Sequence, residues 1–184
     1  MNRSRAGLPY TAPVLVQSLK GETRLSLRPD EVTRAEIARF CSLHALDNFE
    51  ADLVLTPRAD GSVVVTGHVH ANTQPICIVS LEPFHDEVSE DIEATYVTPD
   101  FLADLLAKEV EDNPDAASAG TPDLPDPIID GQIDPAALAV EFLILGLDPY
   151  PRKPDADFPD LRVGEEAISP FAALKALKSE PKKP

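Results

Sequence analysis

His68 and His70 stand two residues apart in a stretch that alternates apolar and polar side chains, so both belong to one face of a strand. Cys77 follows on the next segment and His85 lies just beyond it. Two imidazoles and a thiolate are donors that suit zinc, and a small metalloprotein or hydrolase built on His68, His70, Cys77 and His85 is one reading of the chain. It requires a cross-strand register that brings all four together, and nothing in the spacing fixes one. The competing expectation places the histidines on a solvent-facing sheet surface and Cys77 in the core, with no metal or other cofactor.

Carboxylates are plentiful around this region, with Glu82, Glu87, Glu90, Asp91 and Glu93 close in sequence. Any two can be cast as an acid and a base, but a charge-rich strand face is more often solvated surface. No glycine-rich phosphate loop or nucleophilic serine motif accompanies them. A reactive Cys77 needs a positive, partly exposed setting, whereas its neighbours are apolar and the next strand is acidic, which predicts a raised thiol pKa. The expectation is a protein that binds and does not catalyse.

Charge narrows the partners. The chain has 184 residues with 32 acidic and 16 basic side chains, a net charge of −16. Such a field repels phosphate and attracts basic partners. Two cysteines, Cys41 and Cys77, have no spacing typical of a disulfide framework or a four-cysteine zinc site. The first ten residues lack the apolar run of a signal peptide, and residues 136–147, interrupted by Glu141, fall short of the roughly 20 apolar residues that span a bilayer. A cytoplasmic protein without a membrane partner is expected.

The elements that must position these residues follow from turn chemistry and periodicity. Residues 14–16 and 24–27 are extended and are expected to pair as an edge hairpin. Asp30 caps a helix with apolar positions Val32, Ala35, Ile37, Phe40, Cys41 and Leu43. Leu53 and Leu55 share one face of a strand ending at Pro57, and Asp60-Gly61 favours a tight turn. The next strand turns Val63, Val65 and Val69 one way and Val64, Thr66, His68 and His70 the other. The run Ile76-Cys77-Ile78-Val79, with Leu81, between Pro75 and Pro83, is apolar on both faces and predicts a buried strand at the centre of the sheet. Val88, Ile92, Ala94 and Tyr96 form the inner face of another strand, acidic outside.

Beyond it, Pro99-Asp100 opens a helix through Val110, and residues 111–127 form an acidic Pro- and Ala-rich stretch expected to be a disordered loop. Asp134-Pro135 opens an apolar helix to Leu145, with Gly146 at its end. Its Glu141 needs a cation or water, and Arg152 or Lys153 is the expected partner. Residues 148–154 carry three prolines and predict an extended segment that presents basic residues. Ser169-Pro170 opens a last amphipathic helix with Phe171, Leu174 and Leu177, followed by a basic tail. If the basic ends, Arg24, Arg28, Arg34 and Arg39 with Arg152, Lys153, Lys175 and Lys178 among them, meet in space, they make one cationic patch suited to RNA.

Taken in order, residues 77–84 (Cys-Ile-Val-Ser-Leu-Glu-Pro-Phe), the Asp130-Gly131 lead-in, Glu141 in an apolar helix, residues 148–154 and residues 170–175 resemble the YceD family, the large ribosomal RNA subunit accumulation proteins. The likeness covers residues 10–178. It implies a non-enzymatic factor that supports accumulation of large-subunit ribosomal RNA during ribosome assembly. Other branches of the family carry a paired cysteine a few residues after the position of Cys77. Here those positions are Val79, Ser80 and Leu81, which argues against a cysteine-based metal site.

The expected architecture is α+β, an antiparallel sheet packed against a few helices over residues 10–150, with a Pro-rich segment, short helix and basic tail over 151–184. The expected partner is a basic ribosomal protein or the large-subunit rRNA precursor. The residues expected to meet it are Tyr150, Arg152, Lys153, Glu82 and Glu141.

Overall fold

A computed structural model describes residues 7–112, 124–154 and 156. The chain is α+β: the described residues form a five-stranded sheet in the order β2-β3-β4-β5-β6, a two-stranded sheet of β1 with β7, and three α-helices. The strands are β1 Val14–Leu15, β2 Thr23–Leu27, β3 Ala45–Pro57, β4 Val63–Gln74, β5 Asp86–Val97, β6 Asp126–Pro127 and β7 Gln132–Ile133. The helices are α1 Glu31–Phe40, α2 Pro99–Asp112 and α3 Pro135–Gly146.

Alternation along β3 and β4 decides which face is dry. Phe49, Ala51, Leu53 and Leu55 pair with Ala71, Val69, Gly67 and Val65 across an antiparallel ladder, and all but Gly67 are buried on one face. Val88, Ile92 and Tyr96 of β5 continue that face, while α1 packs on β3 and α3 on β4 and β5. The opposite face carries Glu50, Asp52, Thr66, His68, Glu87, Ser89, Asp91 and Glu93 and faces solvent, as the alternation predicts. Only glycine fits at position 67, where an added Cβ would collide with the carbonyl oxygen of Asp52 and lie 2.9 Å from the Cα of Leu53.

The β3–β4 connection uses the dipeptide read from the sequence, in a slightly longer turn. Gly61 donates to the carbonyl of Arg58 (3.1 Å) with φ +82°, and Pro57 already pairs with Val63. Asp30 caps α1 through Thr33 N–H (2.8 Å). Asp134 caps α3 through Ala137 N–H (3.1 Å), and the same oxygen accepts from Ala12 N–H (2.9 Å), tying the N-terminal segment to the helix start. The first half of α3 is buried, as is Leu143 beyond it, but the helix surfaces at its end, where Leu145 is 76% exposed.

Two expected pairings are different in the structure. Residues 14–16 do not form a hairpin with residues 24–27. Val14 and Leu15 pair with Ile133 and Gln132, whereas β2 pairs with β3. The longer β3 offers β2 a five-residue ladder, and the Asp130-Gly131 turn, with both residues at positive φ, presents β7 to β1.

The larger correction concerns residues 76–81, which are not a central strand. They form a closed loop held by one bridge, Ile76 with Pro83, and by Cys77 N–H to Glu82 O and Leu81 N–H to Cys77 O, each 2.9 Å. The prolines that bound the run stop it from joining a ladder, and Leu81 sits at φ +60° with its side chain in solvent. The sheet is centred instead on β4.

Of the stretch expected to be an acidic loop, residues 111–112 close α2 and residues 126–127 form β6, parallel to the end of β5. Residues 113–123, the amphipathic stretch after Ser169 and the basic tail lie outside the described residues.

Candidate functional site

Cys77 organises the loop. Its side chain is buried, and its Sγ lies 3.4 Å from each of three backbone nitrogens, those of Val79, Ser80 and Lys153. The first two come from the turn that the loop makes around the sulfur. The third comes from the Pro-rich segment, which also gives its Pro151 carbonyl to Ile78 N–H (3.0 Å). The Ser80 side chain beside the sulfur, then the amides of Ser80, Lys153 and Val79, bring the thiol down to about 6 against the opposing effect of burial. The expectation of a raised pKa is therefore reversed: apolar side chains flank Cys77, but the Ser80 side chain and the backbone donors around the sulfur outweigh burial. Cys41, half-buried without such donors, is pushed by burial up to about 11.

The Pro-rich segment brings two of the expected partner-binding residues together. Lys153 Nζ lies 3.2 Å from Glu82 Oε2. Tyr150 and Arg152 are exposed on the same segment. Glu141 does not join them. Lys153 is taken by Glu82, and Glu141 lies half-buried on α3, beside Phe142 and Leu145. Near the loop an apolar cavity of about 430 Å³ lies between Ile76 and Ile78, the end of α3 at Ile144, and Pro149 and Pro151, with Asp86 and Asp148 on its rim.

The four candidate metal donors do not converge. His68 Nδ1 meets Asp91 Oδ1 (3.0 Å), His70 Nδ1 meets Glu87 Oε1 (3.4 Å) and His85 Nδ1 meets Asp47 Oδ2 (3.4 Å), while the sulfur of Cys77 faces amides. Among the described residues no group of three or more His, Cys, Asp or Glu side chains is arranged to hold a metal ion. The lysines of the expected cationic patch from Lys175 onward lie outside the described residues, and three of its described arginines have local partners. Arg24 pairs with Glu22 (3.4 Å), Arg28 with Glu50 and Asp52 (3.2 and 3.0 Å), and Arg34 reaches the Pro29 carbonyl (3.0 Å).

One constellation escapes a reading by sequence motif. His68 Nε2 lies 2.9 Å from Ser89 Oγ while its Nδ1 meets Asp91, so a serine, an imidazole and a carboxylate stand in line across β4 and β5. The register His68↔Asp91 produces it, and strand alternation puts Ser89 on the same face. This order is that of an acyl-transfer triad. Here, however, it stands on the open sheet face, where the Asp91 side chain is 97% exposed and its charge is screened by water.

A second cavity, also absent from the sequence reading, runs beside the last part of β5 toward Glu141, with Leu138, Phe142 and Leu145 on its apolar side. No helix among the described residues is long and apolar enough to cross a membrane. Comparisons with protein-family models, curated proteins and solved structures found no match to the chain.

Proposed function

We propose that this chain is a non-enzymatic ribosome-biogenesis factor of the YceD type, acting in the cytoplasm, which supports large-subunit rRNA accumulation by holding a basic ribosomal protein. The observation that supports this most directly is the disposition of charge. Arg24, Arg28 and Lys153 each lie against carboxylates, and acids outnumber bases two to one over the chain, so the surface field is negative. A negative body attracts a cationic protein before it is seated on RNA and is repelled by RNA itself.

Titration at two salt concentrations separates the two molecular versions. Basic large-subunit proteins are expected to bind with an affinity that falls as salt rises, and fragments of precursor rRNA are expected not to bind at low salt. Salt-sensitive RNA binding that disappears in Arg152→Glu and Lys153→Glu would replace the protein-binding reading with direct rRNA recognition.

A further inference from the structure

Among the described residues β5 pairs on one side only at its last two residues, Tyr96 with Asp126 and Val97 with Pro127, and the Val97 carbonyl accepts Ile128 N–H (2.7 Å). Strand alternation then turns the N–H and C=O of Glu93, Asp91 and Ser89 to this same edge. Among the described residues no strand pairs with them there.

The edge is not bare surface. It borders the cavity of about 700 Å³ whose other wall is α3, with Leu138, Phe142 and the exposed Leu145. Glu93 supplies charge along it, and among the described residues that line it none is basic. Open backbone groups, an apolar wall and acids of one sign lie along a single groove.

We propose that this groove binds an extended cationic segment of the partner protein, which adds to the sheet as a strand beside β5. The inference rests on the basic-partner reading above and names the place and the chemistry. Backbone hydrogen bonds supply sequence-independent affinity in strand addition, and alternate side chains supply choice. Here one set of side chains meets Phe142 and Leu145, and the alternate set lies beside Asp91 and Glu93 on the outer face. The segment that fits therefore alternates apolar residues with lysine or arginine. A second copy of this chain does not fit, because two β5 edges would set Glu87, Asp91 and Glu93 against their own like charges.

The test uses the full chain and a capped synthetic peptide of alternating valine and lysine, followed by calorimetry and by amide hydrogen exchange. Slower exchange at Ser89, Asp91 and Glu93 on saturation is expected, together with about tenfold weaker binding of a peptide of the same composition with its lysines and valines in separate blocks. Leu145→Lys alters an exposed position, and Glu93→Pro removes an N–H that faces the edge and not the β4 ladder. Both are expected to weaken binding by a similar factor, with folding checked by circular dichroism, and Leu145→Lys serves if the proline variant does not fold. Binding unaffected by Leu145→Lys, or exchange unchanged at saturation, overturns the groove. If basic ribosomal proteins nevertheless bind, the wider reading survives that failure, and if they do not, both fall. Protection of the same amides in the free chain, lost when Lys175, Lys178, Lys182 and Lys183 are changed to Glu, overturns it in favour of the chain's own tail.

Discussion

The sulfur of Cys77 lies 3.4 Å from the backbone nitrogen of Lys153, joining two segments 76 residues apart. This contact, with the Ile78–Pro151 hydrogen bond, fixes the Pro-rich segment against the loop and places Lys153 where it meets Glu82. The Lys153–Glu82 pair is itself exposed, and such pairs contribute little. The segment is held by the Lys153 amide on the Cys77 sulfur and by the Ile78–Pro151 hydrogen bond.

That arrangement has a pH signature. Cys77 is lowered in the folded chain from an ordinary value of 9.0 to about 6, so its ionised form favours folding. The stabilisation is complete above the unfolded value and is lost as pH falls through about 6. The melting temperature of the native chain is expected to exceed that of Cys77→Ala by a margin that widens between pH 5 and pH 9. Cys41, raised to about 11, is present in both proteins and cancels in the difference. A constant margin across that range refutes the amide-held thiolate.

The two thiols should also differ in what limits their chemistry. Cys41 is half-buried but protonated at neutral pH, and Cys77 is ionised but inaccessible to reagent. Iodoacetamide at pH 7 is expected to label neither quickly in the folded chain and both in denaturant. Raising the pH toward 11 should speed Cys41 alone. Labelling of Cys77 at the rate of a free thiol would show that the loop opens readily.

Gly67 offers a test of the sheet. Because the groups that a Cβ would strike, the carbonyl of Asp52 and the Cα of Leu53, are backbone, they cannot move aside as a flexible side chain would. Gly67→Ala is expected to lower stability by about 1–3 kcal/mol or to prevent folding, as overpacking does. Gly21→Ala, where nothing lies within 4 Å, should stay within about 0.5 kcal/mol of the native chain. Equal denaturation midpoints for the two variants would mean that β3 and β4 do not approach as described.

Much of this fold was legible because it depends on local chemistry. The caps at Asp30 and Asp134, the Asp60-Gly61 turn and the two faces of β4 and β5 all follow from period and turn residues, and the structure has them. Residues 76–81 misled because an apolar run between two prolines has the composition of a buried strand, while Leu81 at positive φ and the amides around Cys77 make it a loop. Composition alone does not reveal a sulfur that accepts hydrogen bonds from its own turn. The partner of β1 and the groove beside β5 depend on where distant segments cross, and neither has a local signal. Nor does the His68–Ser89 contact, which exists only through the register of two strands.

Asp134 holds two segments with one oxygen, accepting from Ala137 in the first turn of α3 and from Ala12 in the N-terminal segment. Asp134→Ala removes the cap and leaves two amides without that acceptor, an expected loss of about 2 kcal/mol in chemical denaturation. Asp134→Asn retains a side-chain oxygen and should recover most of it. A loss no larger than that of an ordinary surface substitution would mean that Ala12 is not anchored there.

The line Ser89–His68–Asp91 puts the binding reading at greatest risk, because it has the atom order of a nucleophile, a base and an orienting carboxylate. Acyl transfer by such a line needs a site that excludes water and holds the imidazole in one place. Here the His68 and Asp91 side chains are 47% and 97% exposed, and solvent competes for each hydrogen bond. The expected result is that a fluorophosphonate probe does not label Ser89. Hydrolysis of p-nitrophenyl acetate should likewise be no faster for the native chain than for Ser89→Ala. Labelling at Ser89 that vanishes in His68→Ala would establish a working nucleophile on the open face, and a chain that acts only by binding would no longer account for it.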